Sequence, residues 1–174
     1  MTIKVGDRLP EGKLSESVEF DAACPMPPKD VSVAEATKGK KVVIFALPGA
    51  FTPTCSAKHV PGYVSNIDKL KGKGVDEVWC VATNDGFVMA AWGREQKAIG
   101  KVRMMGDGSG LWTKALGLEL DLTARGMGVR SQRYSMLVVD GVVKAFNLDQ
   151  PGKFEVSDAE TLLKQAEKVT QFIP

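Results

Sequence analysis

The segment Pro48-Gly49-Ala50-Phe51-Thr52-Pro53-Thr54-Cys55 concentrates the residues whose types and spacing suit chemistry. Proline favours the first position of a helix, and threonine is a good capping residue. Thr52 is therefore expected at the cap, Pro53 just inside it and Cys55 in the first turn. A sulfur there sits by unpaired backbone N–H groups and the positive end of the helix dipole, which favour thiolate over thiol. That is the setting of a nucleophile. The competing reading makes Cys55 a small buried hydrophobe and Thr52 merely a cap. The Pro–Gly turn and the cap spacing favour the reactive thiol. His59, four residues on, shares a helical face with Cys55 and is a candidate base, although a histidine beside Pro61 is more often structural. Cys80 falls in an apolar run and is expected to be buried; Cys24, before Pro25, is expected to be exposed.

Positioning such a sulfur requires rigid elements on either side. Lys41-Val42-Val43-Ile44-Phe45-Ala46-Leu47 has the continuous apolar pattern of a strand buried on both faces, and Pro48-Gly49 ends it. Pro53 to Leu70 reads as a helix kinked by Pro61 and Gly62. A second strand is expected from Asp76 to Thr83 and a third from Val102 to Met105. Between them Gly86 to Ile99 reads as a helix, with Val88, Ala91, Trp92 and Ile99 on its inner face. Ser109 to Leu116 is a short helix, and residues 118–132 a loop containing Gly126 and Gly128. Asp140-Gly141 joins Arg133–Val139 to Val142–Asn147 as a hairpin. Ser157-Asp158-Ala159-Glu160 is a capping box opening the last helix, which runs through Leu162, Leu163, Ala166 and Val169. Residues 10–40, with Pro10, Pro25, Pro27 and Pro28, read as loops with short strands. The alternation predicts an α/β fold, a central mixed sheet flanked by helices. Cys55 follows a strand's carboxyl end, where such sheets place their sites.

The 174 residues suit a single domain, residues 1–174. A composition of 44% hydrophobic and 25% charged residues is that of a soluble globular protein. A net charge of +2 gives no reason to expect nucleic acid or a membrane surface as partner. No apolar run approaches the ~18 residues of a membrane span. The N-terminus, with Lys4, Asp7 and Arg8, does not read as a secretory signal, so a cytoplasmic location is expected. Three cysteines make no disulfide framework, and their spacings with a single histidine match no zinc pattern. Neither a metal nor a cofactor is expected.

Pro48 to Cys55 resembles the active-site motif of peroxiredoxins, P-x-x-x-T-x-x-C, and the chain is similar to the type-5 subfamily that includes the plant type II enzymes. The likeness runs from Ile3-Lys4-Val5-Gly6-Asp7 to about Asn147. It takes in His59-Val60-Pro61-Gly62-Tyr63, Cys80, Asn84-Asp85-Gly86-Phe87-Val88 and Trp92-Gly93. Gly100-Lys101-Val102-Arg103 and Arg133-Tyr134-Ser135-Met136 extend it. The resemblance implies a thioredoxin-like fold, a homodimer with Trp92 at the contact, and reduction of hydrogen peroxide and organic hydroperoxides. It makes Cys55 the peroxidatic cysteine, Thr52 and Pro48 the motif's other fixed positions, and Arg133 the distal arginine. The residues alone rank Arg130 equal to Arg133; only the family pattern prefers the latter. A thiolate nucleophile and donors for the leaving oxygen are what O–O cleavage needs. The Cys55 N–H, the Thr52 hydroxyl and the Arg133 guanidinium are such donors, while Pro48, lacking an N–H, shapes the wall and limits water.

The chain departs from the animal members of the subfamily, in which a second cysteine near the C-terminus pairs with the first. Ser157 stands about where that cysteine would fall. An oxidised Cys55 then needs an external thiol: glutathione, glutaredoxin or thioredoxin. Two rivals remain at this point: a two-cysteine cycle using Cys24 or Cys80, and a non-catalytic thioredoxin-like binding module.

Overall fold

Lys41–Ala46 is buried at every position, as an unbroken apolar run demands. Around it the computed structural model, which describes residues 1–169, builds a mixed sheet with helices on both faces. The chain opens with β1 (Lys13–Glu16), a small hairpin of β2 (Phe20–Asp21) and β3 (Cys24–Pro25), β4 (Lys29–Ser32) and α1 (Val33–Thr37). The central strand β5 (Lys41–Ala46) leads through the Pro48–Cys55 segment to a π-helical turn, Cys55–His59, and then to α2 (Val60–Ser65) and α3 (Ile67–Gly72). Next come β6 (Glu77–Ala82), α4 (Gly86–Glu95), β7 (Arg103–Gly106) and α5 (Leu111–Leu116). A second small hairpin joins β8 (Glu119–Leu122) to β9 (Gly128–Ser131). The main hairpin of β10 (Tyr134–Val139) and β11 (Val142–Leu148) follows, and α6 (Ala159–Lys168) closes the fold.

Seven strands lie in the order β11-β10-β5-β6-β7-β1-β4. β5, β6 and β7 are parallel where helices cross over, and the remaining pairings are antiparallel. Alternate side chains enter two apolar layers. Phe45, Cys80 and Leu137 face one layer with Tyr63, Leu70, Trp92 and Leu162; Ile44, Trp79 and Met105 face the other with Trp112 and Leu116. Burying each large side chain contributes about 1.5–3 kcal/mol, so both layers are needed to hold the central strands. A lysine is among the polar groups built into this interior. Lys41 is 3% exposed, and its ammonium donates to the carbonyls of Lys73, Ala166 and Val169, which joins the start of β5 to the ends of α3 and α6.

The Asp140-Gly141 hairpin forms with both turn residues at positive φ, 49° and 79°, the geometry that fits strand twist. Other expectations need correction. The helix expected from Pro53 to Leu70 widens into the π turn just before Pro61 and breaks again at Asn66. Proline's ring crowds the carbonyl four residues back, and a wide turn relieves that contact. α4 stops at Glu95, short of Ile99, because Lys97 turns left-handed at φ 57° and the Lys97 and Ala98 amides fold back onto the Arg94 and Gly93 carbonyls. Its inner face is Met89, Ala90, Trp92 and Gly93, while Val88 and Ala91 are only partly buried. Residues 118–132 are not a plain loop but the β8–β9 hairpin, whose Leu118-Glu119-Leu120-Asp121-Leu122 alternation was a strand signal. Asp158, not Ser157, caps α6, accepting from the Thr161 amide. Trp92 is wholly buried, its indole N–H donating to Ser56 Oγ at 3.0 Å, so it offers no ring surface to a second copy.

Candidate active site

β5 ends at Ala46, and the chain must then turn sharply to place Cys55 over the sheet's carboxyl edge. Phe51 adopts a left-handed φ of 61°, and the Thr52 hydroxyl donates to the Gly49 carbonyl at 2.7 Å. Thr52 thus closes the turn with its side chain, while its carbonyl accepts from the Ser56 amide and starts the helix. The expected side-chain cap is replaced by this turn-closing bond. A Cβ at Gly49 would run into the Arg130 guanidinium, so a larger residue there displaces that side chain from the Pro48 carbonyl.

The two arginines separate clearly. Arg130 bridges backbone, donating from Nε to the Met127 carbonyl at 2.8 Å and from Nη1 to the Pro48 carbonyl at 3.1 Å. Arg133 instead reaches the sulfur, with Nη2 donating to Cys55 Sγ at 3.3 Å. Its Nη1 lies 2.8 Å from His59 Nδ1. A guanidinium only donates, so Nδ1 must accept, and the His59 proton resides on Nε2, which donates to the Ser157 carbonyl at 3.1 Å. Burial, reinforced by the Arg133 charge, holds His59 neutral with its pKa lowered to about 3. Both ring nitrogens are therefore engaged, and no lone pair is left for general-base work on Cys55. The sequence placed His59 on the right face but gave no sign that its partner was an arginine.

Cys55 is wholly buried. Outside it opens a cavity of about 370 Å³ whose inner wall carries Pro48, Thr52 and Arg133. Leu120, Leu122 and Met127 of the β8–β9 hairpin make it apolar on one side, and Asp149 to Lys153 form another wall. Pro48, Thr52, Cys55 and Arg133 are thus brought to one place. Cys80 lies in the same core layer as Cys55, and burial pushes its thiol well above the ordinary range. Cys24 is exposed on the β2–β3 hairpin, away from the cavity walls. Phe154, which packs on both His59 and Arg133, and Asp149 were not singled out in the sequence.

The redoxin family matches this chain over residues 4–163. The chain belongs to that family. Its relatives are peroxiredoxins: Peroxiredoxin-2E-2, chloroplastic, of Oryza sativa subsp. japonica is 49% identical over 167 residues, 94% of this chain and 72% of its own. Peroxiredoxin-2B of Arabidopsis thaliana is 47% identical over 162 residues, covering 93% of this chain and 97% of that one. Among solved structures, reduced Prx3 of Vibrio vulnificus in complex with hydrogen peroxide superposes with a TM-score of 0.87 at 47% identity, covering 95% of this chain and all of that one. The fold is accordingly thioredoxin-like, and the protein is a peroxiredoxin of the plant type II and type-5 kind: an oxidoreductase, a thiol peroxidase.

Proposed function

We propose that the chain reduces hydrogen peroxide and alkyl hydroperoxides with one working cysteine, Cys55, and is returned to its thiol by an external reductant. The observation that carries this reading is the Arg133 guanidinium 3.3 Å from Cys55 Sγ at the inner end of the cavity. A cation at that distance stabilises the negative charge that develops on the departing oxygen once peroxide arrives. The Cys55 sulfur attacks the terminal peroxide oxygen; the S–O bond forms as the O–O bond breaks. The alkoxide or hydroxide takes a proton and leaves as alcohol or water, and Cys55 becomes a sulfenic acid. A thiol, that of glutathione or a cysteine of glutaredoxin or thioredoxin, then attacks the sulfenic sulfur, releasing water. A second thiol exchanges the mixed disulfide back to Cys55. Thr52 and Pro48 shape the wall along which peroxide approaches.

A one-cysteine cycle is supported by the other thiols' surroundings. Cys80 is held as a buried, protonated thiol and is a poor nucleophile, while Ser157 has no sulfur and spends its hydroxyl on Asp149. The exposed free thiol of Cys24 suits a reducing compartment, and the cytosol is the location we assign. Steady-state peroxidase assays with glutathione–glutaredoxin and with thioredoxin test the cycle. Cys55→Ser is expected to remove turnover with the fold intact, while Cys80→Ala and Cys24→Ser keep most of it. A dominant Cys55–Cys80 or Cys24–Cys55 disulfide after one equivalent of peroxide, with activity lost in the matching variant, would overturn the one-cysteine reading.

A further inference from the structure

Asp149 follows β11 directly and is 3% exposed, an unusual place for a carboxylate that no basic side chain among the described residues pairs with. Its own amide donates to the Arg133 carbonyl at 3.0 Å, so its backbone is fastened beside the arginine. Its carboxylate turns the other way and gathers the returning chain. Oδ1 accepts from the amides of Glu155 and Val156, at 2.8 and 2.9 Å. Oδ2 accepts from the Ser157 amide and the Ser157 hydroxyl. These bonds hold the carboxyl below the usual carboxylate range despite burial. They also tie residues 149–157 into a closed strap.

The strap does two things at the arginine. It presents the Ser157 carbonyl to His59 Nε2 and to the Tyr63 hydroxyl, at 3.1 and 2.8 Å. It also lays Phe154 against the His59 ring, 4.9 Å between centroids, and beneath the Arg133 guanidinium at 5.8 Å. A carbonyl facing Nε2 permits only the tautomer that carries its proton there and leaves Nδ1 as an acceptor. Only that tautomer can receive Arg133 Nη1. The contacts therefore run from Asp149 through the Ser157 carbonyl and His59 to Arg133 and Cys55 Sγ.

We infer that Asp149 is a positioning residue for the sulfur: by cradling residues 155–157 it selects the His59 tautomer that aims Arg133 at Cys55. The inference deepens the peroxidase reading above and rests on it. The test combines two readouts on reduced full-length protein. The ring ¹⁵N signals of His59, the chain's single histidine, report its tautomer without any peroxide. Stopped-flow oxidation of Cys55 by one equivalent of hydrogen peroxide reports the aim of Arg133, and wild-type oxidation at Cys55 is the separate check on the peroxidase reading. In Asp149→Asn the two ring nitrogens are expected to move toward averaged, mixed-tautomer shifts, and oxidation to slow by roughly tenfold, the scale of losing about one hydrogen bond's worth of alignment. The same substitution placed in a His59→Gln background should change the rate by less than about twofold, because the route to Arg133 is already cut. A merely structural Asp149 would lower the melting temperature yet leave the ring signals and the rate at wild-type values, and that result overturns the inference; so does full additivity with His59→Gln. Should Asp149→Asn not fold, Ser157→Ala removes one of the carboxylate's partners and is expected to shift both readouts in the same direction by about twofold. Unmoved signals in that variant overturn the inference equally.

Discussion

At the residue scale the site is decided by what each nitrogen of Arg133 faces. Neutralising that guanidinium in Arg133→Gln removes the cation beside Cys55 Sγ, and sulfenate formation should slow by roughly ten- to a thousandfold, matching ~1.4–4 kcal/mol of electrostatic stabilisation. Arg130→Gln loses only bonds to the Pro48 and Met127 carbonyls, so its effect should be much smaller; rapid-mixing kinetics on the two variants decide. His59 makes a pH prediction. Its folded pKa, about 3, lies below the ~6.5 of an unfolded histidine, so on acidification the unfolded chain takes up the proton first. Stability is therefore full above about pH 6.5 and falls below it, by up to ~1.4 kcal/mol per pH unit. Glu77 and Asp149 have the same sign, but their lowered carboxyls act only in more acid solution, which leaves the window from about pH 6.5 to 5 to the histidine. Urea midpoints across that window should fall for wild type and stay level for His59→Gln. The sequence made Cys55, Thr52 and Pro48 legible because motif and cap chemistry are local. It left Arg130 and Arg133 equal because which arginine reaches the sulfur depends on how β9 and β10 lie beside the Pro48 turn.

Elements were legible where the period was strong and the punctuation ordinary. β5, β6 and the Asp140-Gly141 hairpin follow directly from apolar runs and a two-residue turn. The errors fall where an unexpected residue does the punctuating. Lys97 ends α4 in a left-handed conformation normally given to glycine, so nothing marked the end of the helix. Asp158 took the cap because Ser157 turned inward to Asp149. The glycines of residues 126–128 masked the strand alternation of β8. Lys97 carries a direct consequence: Lys97→Gly should relieve the strained φ and stabilise the protein by about 0.5–1 kcal/mol. Denaturant unfolding reads that gain, with peroxidase turnover unchanged; a loss of stability would show that the lysine's stem contributes more packing than its backbone costs.

For the molecule as a whole, the carboxyl edge of the parallel strands carries both the site and an apolar rim. Phe51, Phe87, Leu111 and Val129 are 57%, 47%, 72% and 46% exposed. Phe51 lies in the turn after β5, Phe87 and Leu111 in the first turns of α4 and α5, and Val129 on β9. Bonds from Ala50 to Asn84 and from Thr83 to Val129 bring the Phe51, Phe87 and Val129 stretches together along this edge. Exposed apolar surface of this kind is what a partner covers, and a second copy of the chain is the partner to test. Sedimentation should find a dimer that Phe87→Glu or Leu111→Glu converts to monomer; an unchanged mass would remove this surface from consideration. The opposite end of the molecule is closed by Lys41. Its amine touches the ends of α3 and α6, yet burial hides it and lowers its pKa. An acylating reagent would mark surface lysines at once and Lys41 only during moments when α6 has lifted away. The lag between the two is a clock for that opening. Its dependence on urea, set against that of global unfolding, tells whether the last helix departs with the rest of the fold or ahead of it.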